Sequence, residues 1–149
     1  MDEDLLERAV RLAVKVHKGQ KDRTGRPFML HVLRVAMSGN DLEEQVLGAL
    51  HDVLERSDLT RSDLEDKGFP ARILDALDHL TRSKEEDYEA YIGRVMRNDL
   101  ARRVKLHDLG DKLDLWQHRE LLPADLKRYN RQLAALHRLR GAAGPAQGM

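Results

Sequence analysis

The chain has 149 residues, with 26 basic and 26 acidic side chains giving no formal net charge, and only 4% of its residues are aromatic. That balance supplies neither the positive field nor the stacking platform on which nucleic-acid binding draws, so nucleic acid is not an expected partner. Cysteine is absent, which excludes a disulfide framework and any thiolate nucleophile or metal ligand. The opening MDEDLLERAV is acidic where a secretory leader would be basic, and no apolar run approaches the ~20 residues of a membrane span. A soluble, cytoplasmic protein without membrane contact is expected.

Leu5, Ala9, Leu12, Ala13 and Val16 recur at steps of three and four, which predicts an amphipathic helix over residues 3–17. Residues 18–30 carry Gly19, Gly25 and Pro27 among charges and read as a loop, with a second helix starting near His31. Asp41 is placed as the N-cap of a third helix, with Glu44 as its capping-box partner and Val46, Leu47, Leu50, Val53 and Leu54 as its apolar face. His51, Asp52 and Glu55 are expected to ride on that helix. Thr60 and Asp63 have capping-box spacing, Gly68 is placed as a helix stop, and Pro70 suits the first turn of the next helix.

Further helices are predicted over 70–81 and 87–97. Asp99 opens the run bearing Val104, Leu106, Asp108 and Leu113, and Pro123 opens a last helix through Leu139. No segment alternates at period two for long enough to be a strand. The expectation is an all-α bundle of about seven to eight helices in one unit over residues 1–140, because cores of roughly this length close as single domains. Residues 141–149, GAAGPAQGM, lack periodicity and bulk and are expected to form a frayed tail.

A His-Asp dipeptide alone is a weak signal, and this chain has two, His51-Asp52 and His107-Asp108. Three longer words strengthen it: HKGQKDRTGRPFMLH from His17 to His31, ALHDVLE around His51, and RVKLHDLGDKLD around Asp108. In these words the chain resembles the HD-domain hydrolases, in particular the small alarmone hydrolases and the hydrolase half of RelA/SpoT-type proteins. The similarity runs from residue 5 to 140. It implies a helical HD domain in which His31, His51, Asp52 and Asp108 ligate a divalent metal. Taken singly, His31 and His51 would read as satisfied, partly buried histidines.

Two imidazoles and two carboxylates suit Mn²⁺, Fe²⁺ or Zn²⁺ better than Ca²⁺, and the resemblance favours Mn²⁺. Such a cation lowers the pKa of a bound water and polarises a phosphoryl oxygen. The implied activity is hydrolysis of a phosphorylated nucleotide, with the 3′-pyrophosphate of (p)ppGpp first. A nucleotide phosphomonoesterase and a non-catalytic metal- and nucleotide-binding regulatory module are the alternatives. Glu55, four residues after His51, is placed as the general base.

The resembled hydrolases carry an aspartate after that glutamate; this chain has Arg56, either a phosphate contact within the catalytic set or a solvated cation. Their guanine-stacking arginine falls at Asp22, which cannot supply a cationic plane. Their asparagine and threonine beyond the metal aspartate fall at Lys112 and Leu115. Lys21, Arg23, Lys105 and Lys112 are the candidate substrate contacts, with Arg26 adding to the positive excess; a charged loop is the plainer reading of the first two. His107 points away from its neighbour Asp108 on a helix, which argues against a fifth ligand. Asp111 or Asp114 could orient a ligand histidine. Trp116 reads as a core or interface anchor, and the cations from Lys127 to Arg140 as a solvated face.

Overall fold

The computed structural model describes residues 3–141; the tail expected over 141–149 falls, beyond Gly141, outside them. Among the described residues are α1 (Glu3–His17), α2 (Phe28–Met37), α3 (Leu42–Leu50), α4 (Arg61–Asp66), α5 (Ala71–Leu80), α6 (Tyr88–Val95), α7 (Asp99–Lys112) and α8 (Pro123–Gly141). A single 3₁₀ turn, Leu115–Gln117, joins α7 towards α8. No β-strand forms among them; an isolated antiparallel bridge pairs Lys21 with Pro27. None of these helices is long and apolar enough to cross a membrane.

The expected stripe of α1 is realised, with Leu5, Ala9 and Ala13 turned into the core. Central α3 packs on α1 and α2 along one side and on α7 and α5 along others, so it buries Val46, Leu47, Ala49 and Leu50. Gly48 makes the α2–α3 approach close: a Cβ there would lie 3.0 Å from Ala36 Cα. The α2 backbone, and with it His31, is thereby held against the end of α3.

Helix starts follow local chemistry. Thr60 and Asp63 form the reciprocal capping box, and the side chains of Asp87 and Asn98 accept from Ala90 and Ala101 N–H groups. Gly68 ends α4 with φ +89°. Pro70 and Asn98 occupy cap positions, so α5 begins at Ala71 and α7 at Asp99.

Three expectations are corrected. Helix α2 begins at Phe28 rather than near His31, because Pro27 fixes φ at −55° and the loop closes through Phe28 N–H on the Gln20 carbonyl. Asp41 caps the Glu44 N–H, yet the Glu44 carboxylate turns inward to Arg103 and His107 instead of completing a box on Asp41. Regular α3 ends at Leu50, so His51, Asp52 and Glu55 stand on a succession of turns beyond it. The His51 Nδ1–H donates to the Gly48 carbonyl at 2.6 Å, the acceptor that a continuing helix would offer to the Asp52 N–H.

Candidate metal centre

Helix α2 supplies His31, the turn after α3 supplies His51 and Asp52, and α7 supplies Asp108; all four are buried. One ligand atom each from His31, His51 and Asp52 lies within 4.8 Å of the others. Asp108 Oδ1 joins them at 2.9 Å from His31 Nε2 and 3.5 Å from His51 Nε2. Asp52 Oδ2 lies 2.9 Å from His51 Nε2.

Hydrogen bonds on the far side of each ring fix what the near side can do. His31 Nδ1 faces the Asp111 carboxylate at 2.6 Å, and His51 Nδ1 faces the Gly48 carbonyl at 2.6 Å. Both partners are acceptors, so both Nδ1 atoms carry a proton, and it is the Nε2 of each ring that faces inward and would offer its lone pair to a metal. His31 Nε2, His51 Nε2 and Asp108 Oδ1 are buried without a hydrogen-bond partner. Buried polar atoms are rarely left so. Lone pairs converging at these separations repel unless a cation or a proton lies among them, and the donor set fits a borderline divalent metal.

The charge distribution states the same demand. Burial opposes protonation of His51, but Asp52 and Asp108 outweigh it and push the imidazole up to about 10. Burial would raise the carboxyls of Asp52 and Asp108, yet the first is held low by His51 and the second by Lys105 and Lys112.

Asp111 is the orienting carboxylate: besides His31 it takes Arg34 through two bonds of 2.5 and 3.1 Å. Asp114 instead accepts the Trp116 indole N–H, and Trp116 stands 70% exposed, outside the core. The Arg34 partnership is a contact that the sequence reading missed; its position three residues after His31, on the same helix face, was the available signal.

A cleft of about 340 Å³ opens over the cluster, lined among others by Arg23, Glu55, Arg56, Tyr88, Lys112 and Arg131. Glu55 lies at its mouth, where Oε1 accepts the Arg82 N–H at 2.6 Å. Partial desolvation by the cleft walls and the charge of Asp52 raise its carboxyl above the ordinary glutamate range. Arg56 stacks on the Phe28 ring, its guanidinium carbon 3.5 Å from the centroid.

The candidate substrate contacts separate into three groups. Arg23 and Lys112 line the cleft, Lys112 at 3.3 Å from Asp108 Oδ1. Lys21 is not among the residues that line it; its backbone bridges to Pro27 in the loop. Lys105 also lines the cleft, but it is buried and donates to Asp108 at 2.8 Å, so its charge balances a ligand carboxylate. Asp22 ties its own loop, its Oδ1 accepting from Thr24 N–H, Thr24 Oγ1 and Arg26 N–H at 2.8, 2.7 and 3.0 Å. His107 faces away from the cluster to Glu44.

No family model matches the chain. It is 32% identical over 128 residues, 77% of its length, to a guanosine-3′,5′-bis(diphosphate) 3′-pyrophosphohydrolase of Aquifex aeolicus, of which it covers 18%. A GTP pyrophosphokinase of Myxococcus xanthus matches at 32% over 54% of the chain and 11% of that protein. A putative chloroplastic GTP diphosphokinase of Oryza sativa matches at 42% over 34% of the chain and 6% of that protein. The chain thus spans less than a fifth of the length of these curated relatives. It is a homologue of one part of proteins named guanosine-3′,5′-bis(diphosphate) 3′-pyrophosphohydrolase and GTP pyrophosphokinase, in keeping with its resemblance to the HD-domain alarmone hydrolases.

Proposed function

We propose that this chain is an HD-type, metal-dependent phosphohydrolase of a phosphorylated nucleotide, with (p)ppGpp as first substrate and the 3′-pyrophosphate as the group removed. The observation that carries the reading is the convergence of His31 Nε2, His51 Nε2 and Asp108 Oδ1, buried and without hydrogen-bond partners, beside Asp52. These four residues would hold the metal, with Mn²⁺ first and Fe²⁺ or Zn²⁺ as alternatives. When bound, such an ion supplies an acidified water and polarises a phosphoryl oxygen. The names of the relatives support the substrate, and a cytoplasmic protein acting on soluble nucleotide is part of the same reading.

The chain's own groups then divide the work. Asp111 and the Gly48 carbonyl hold the two imidazoles in the ligating tautomer. Glu55 has one oxygen on the Arg82 N–H, leaving the other free to take the proton of the attacking water, and its raised pKa suits that role near neutral pH. Water attacks the phosphorus attached to the 3′-oxygen, the bond between them breaks with its electron pair going to the 3′-oxygen, that oxygen takes up the proton handed on by Glu55, and pyrophosphate is released. Lys112, Arg23 and the ring-stacked Arg56 give the cleft the positive donors that an anionic substrate needs.

The test is release of phosphate or pyrophosphate from a nucleotide panel with Mn²⁺, alongside equilibrium binding of the same compounds. Pyrophosphate release from ppGpp supports the reading. Phosphate release from nucleoside monophosphates favours the phosphomonoesterase. Binding without turnover on every compound contradicts hydrolysis and favours the regulatory module, for which Arg56 in place of an acidic residue is the motive.

A further inference from the structure

Arg56 differs from most cations around the cleft in what holds it. Arg34 is neutralised by Asp111, Lys105 by Asp108 and Arg128 by Asp125. The Arg56 guanidinium has no carboxylate or carbonyl partner among the described residues; its contact is the face of Phe28. A guanidinium over a ring face keeps N–H donors that the ring cannot satisfy.

Its placement is fixed from both directions. The Arg56 N–H donates to the carbonyl of Asp52 at 3.1 Å, and the Arg56 carbonyl accepts from Gln20 Nε2 at 3.1 Å. Phe28, buried in turn, packs against the rings of His17 and His31 at centroid distances of 5.1 and 5.3 Å. The unpaired donor fork is therefore tied through backbone to one candidate ligand, Asp52, and through one intervening ring to another, His31. It lines the same cleft as both.

Building on the phosphohydrolase reading, we infer that Arg56 is a specificity-determining residue whose guanidinium binds a second phosphoryl group adjacent to the one held at the metal cluster, so that the site selects pyrophosphoryl over monophosphoryl substrates. The planar fork matches two phosphate oxygens at once, which a lysine cannot do.

The test is equilibrium binding of inorganic pyrophosphate and of inorganic phosphate to the full chain at fixed free Mn²⁺, for wild type, Arg56→Gln and Arg56→Lys, with metal affinity and thermal stability measured on each. Loss of a charge-assisted contact weakens pyrophosphate binding in Arg56→Gln by about tenfold or more, while phosphate binding changes little. Arg56→Lys retains part of the selectivity. Equal weakening of both anions, no weakening, or a wild type that does not discriminate between them overturns the assignment. The nucleotide panel fails separately: Arg56-dependent pyrophosphate selectivity without turnover of any nucleotide keeps this inference and discards hydrolysis.

Discussion

Asp111 accepts the Nδ1–H of His31 at 2.6 Å across eighty positions of sequence, and this bond turns the lone pair of His31 Nε2 towards Asp108. Carboxylates that orient ligating histidines also raise their basicity, and losing one weakens metal affinity by about 10–100-fold. Asp111→Ala should show that loss in a Mn²⁺ titration while leaving the helical content intact. Unchanged affinity would mean that the orientation of His31 is set by packing alone.

Glu55 sits apart from the ligands, so Glu55→Gln should leave Mn²⁺ affinity unchanged. As the positioned base it should cost turnover about 10²–10⁴-fold. The base works deprotonated, and its carboxyl is raised above the ordinary glutamate range by desolvation and by Asp52. The acid limb of kcat/KM should therefore lie above that range in wild type and disappear from the residual activity of the variant. An identical limb in both proteins would assign it to another group.

Asp22 answers a structural need of its loop. Its Oδ1 accepts three hydrogen bonds from Thr24 and Arg26, so Asp22→Arg should lower Tm, at about 1 kcal/mol for each bond lost. The restored cation should not by itself create a guanine preference. A variant that keeps its Tm and prefers ppGpp over ppApp would show that the loop accommodates the base-stacking arginine after all.

Glu44, buried between α3 and α7, accepts from Arg103 and His107 at 2.5 and 2.7 Å. Burial would raise its carboxyl, but the bonds from His107, the Asn40 N–H and Arg103 prevail and hold it below the ordinary value of 4.5. A depressed folded pKa contributes stability above the unfolded value, and that contribution is lost as pH falls through the folded value. Urea unfolding should therefore find Glu44→Gln less stable than wild type near neutrality, with the gap closing in acid. A gap that is constant with pH would show that the residue acts by shape rather than charge.

What the sequence made legible was mostly local. The Thr60–Asp63 box, the Gly68 stop and the stripe of α1 each depend on neighbours within a turn or two, and each forms. The convergence of His31, His51, Asp52 and Asp108 was legible only through the three recurring words, since nothing in their spacing specifies which helices meet. What stayed hidden depends on partners far along the chain. Glu44 is 59 residues from Arg103 and 63 from His107, so it reads locally as a capping residue. Lys105 pairs with Asp108 only three positions on, a local contact, but the burial of both follows from tertiary packing. Only tertiary packing separates Asp111, beside His31, from Asp114, beside Trp116.

The metal centre is the claim on which the rest depends, and metal content measured together with thermal stability tests it most directly. The wild type should bind about one Mn²⁺ per chain, with Tm rising as the metal is added, because an ion that binds only the folded state stabilises it by mass action. The His51→Ala, Asp108→Ala double variant should bind none and show no rise. Full occupancy in that variant, or a wild type that takes up no transition metal, would contradict the account.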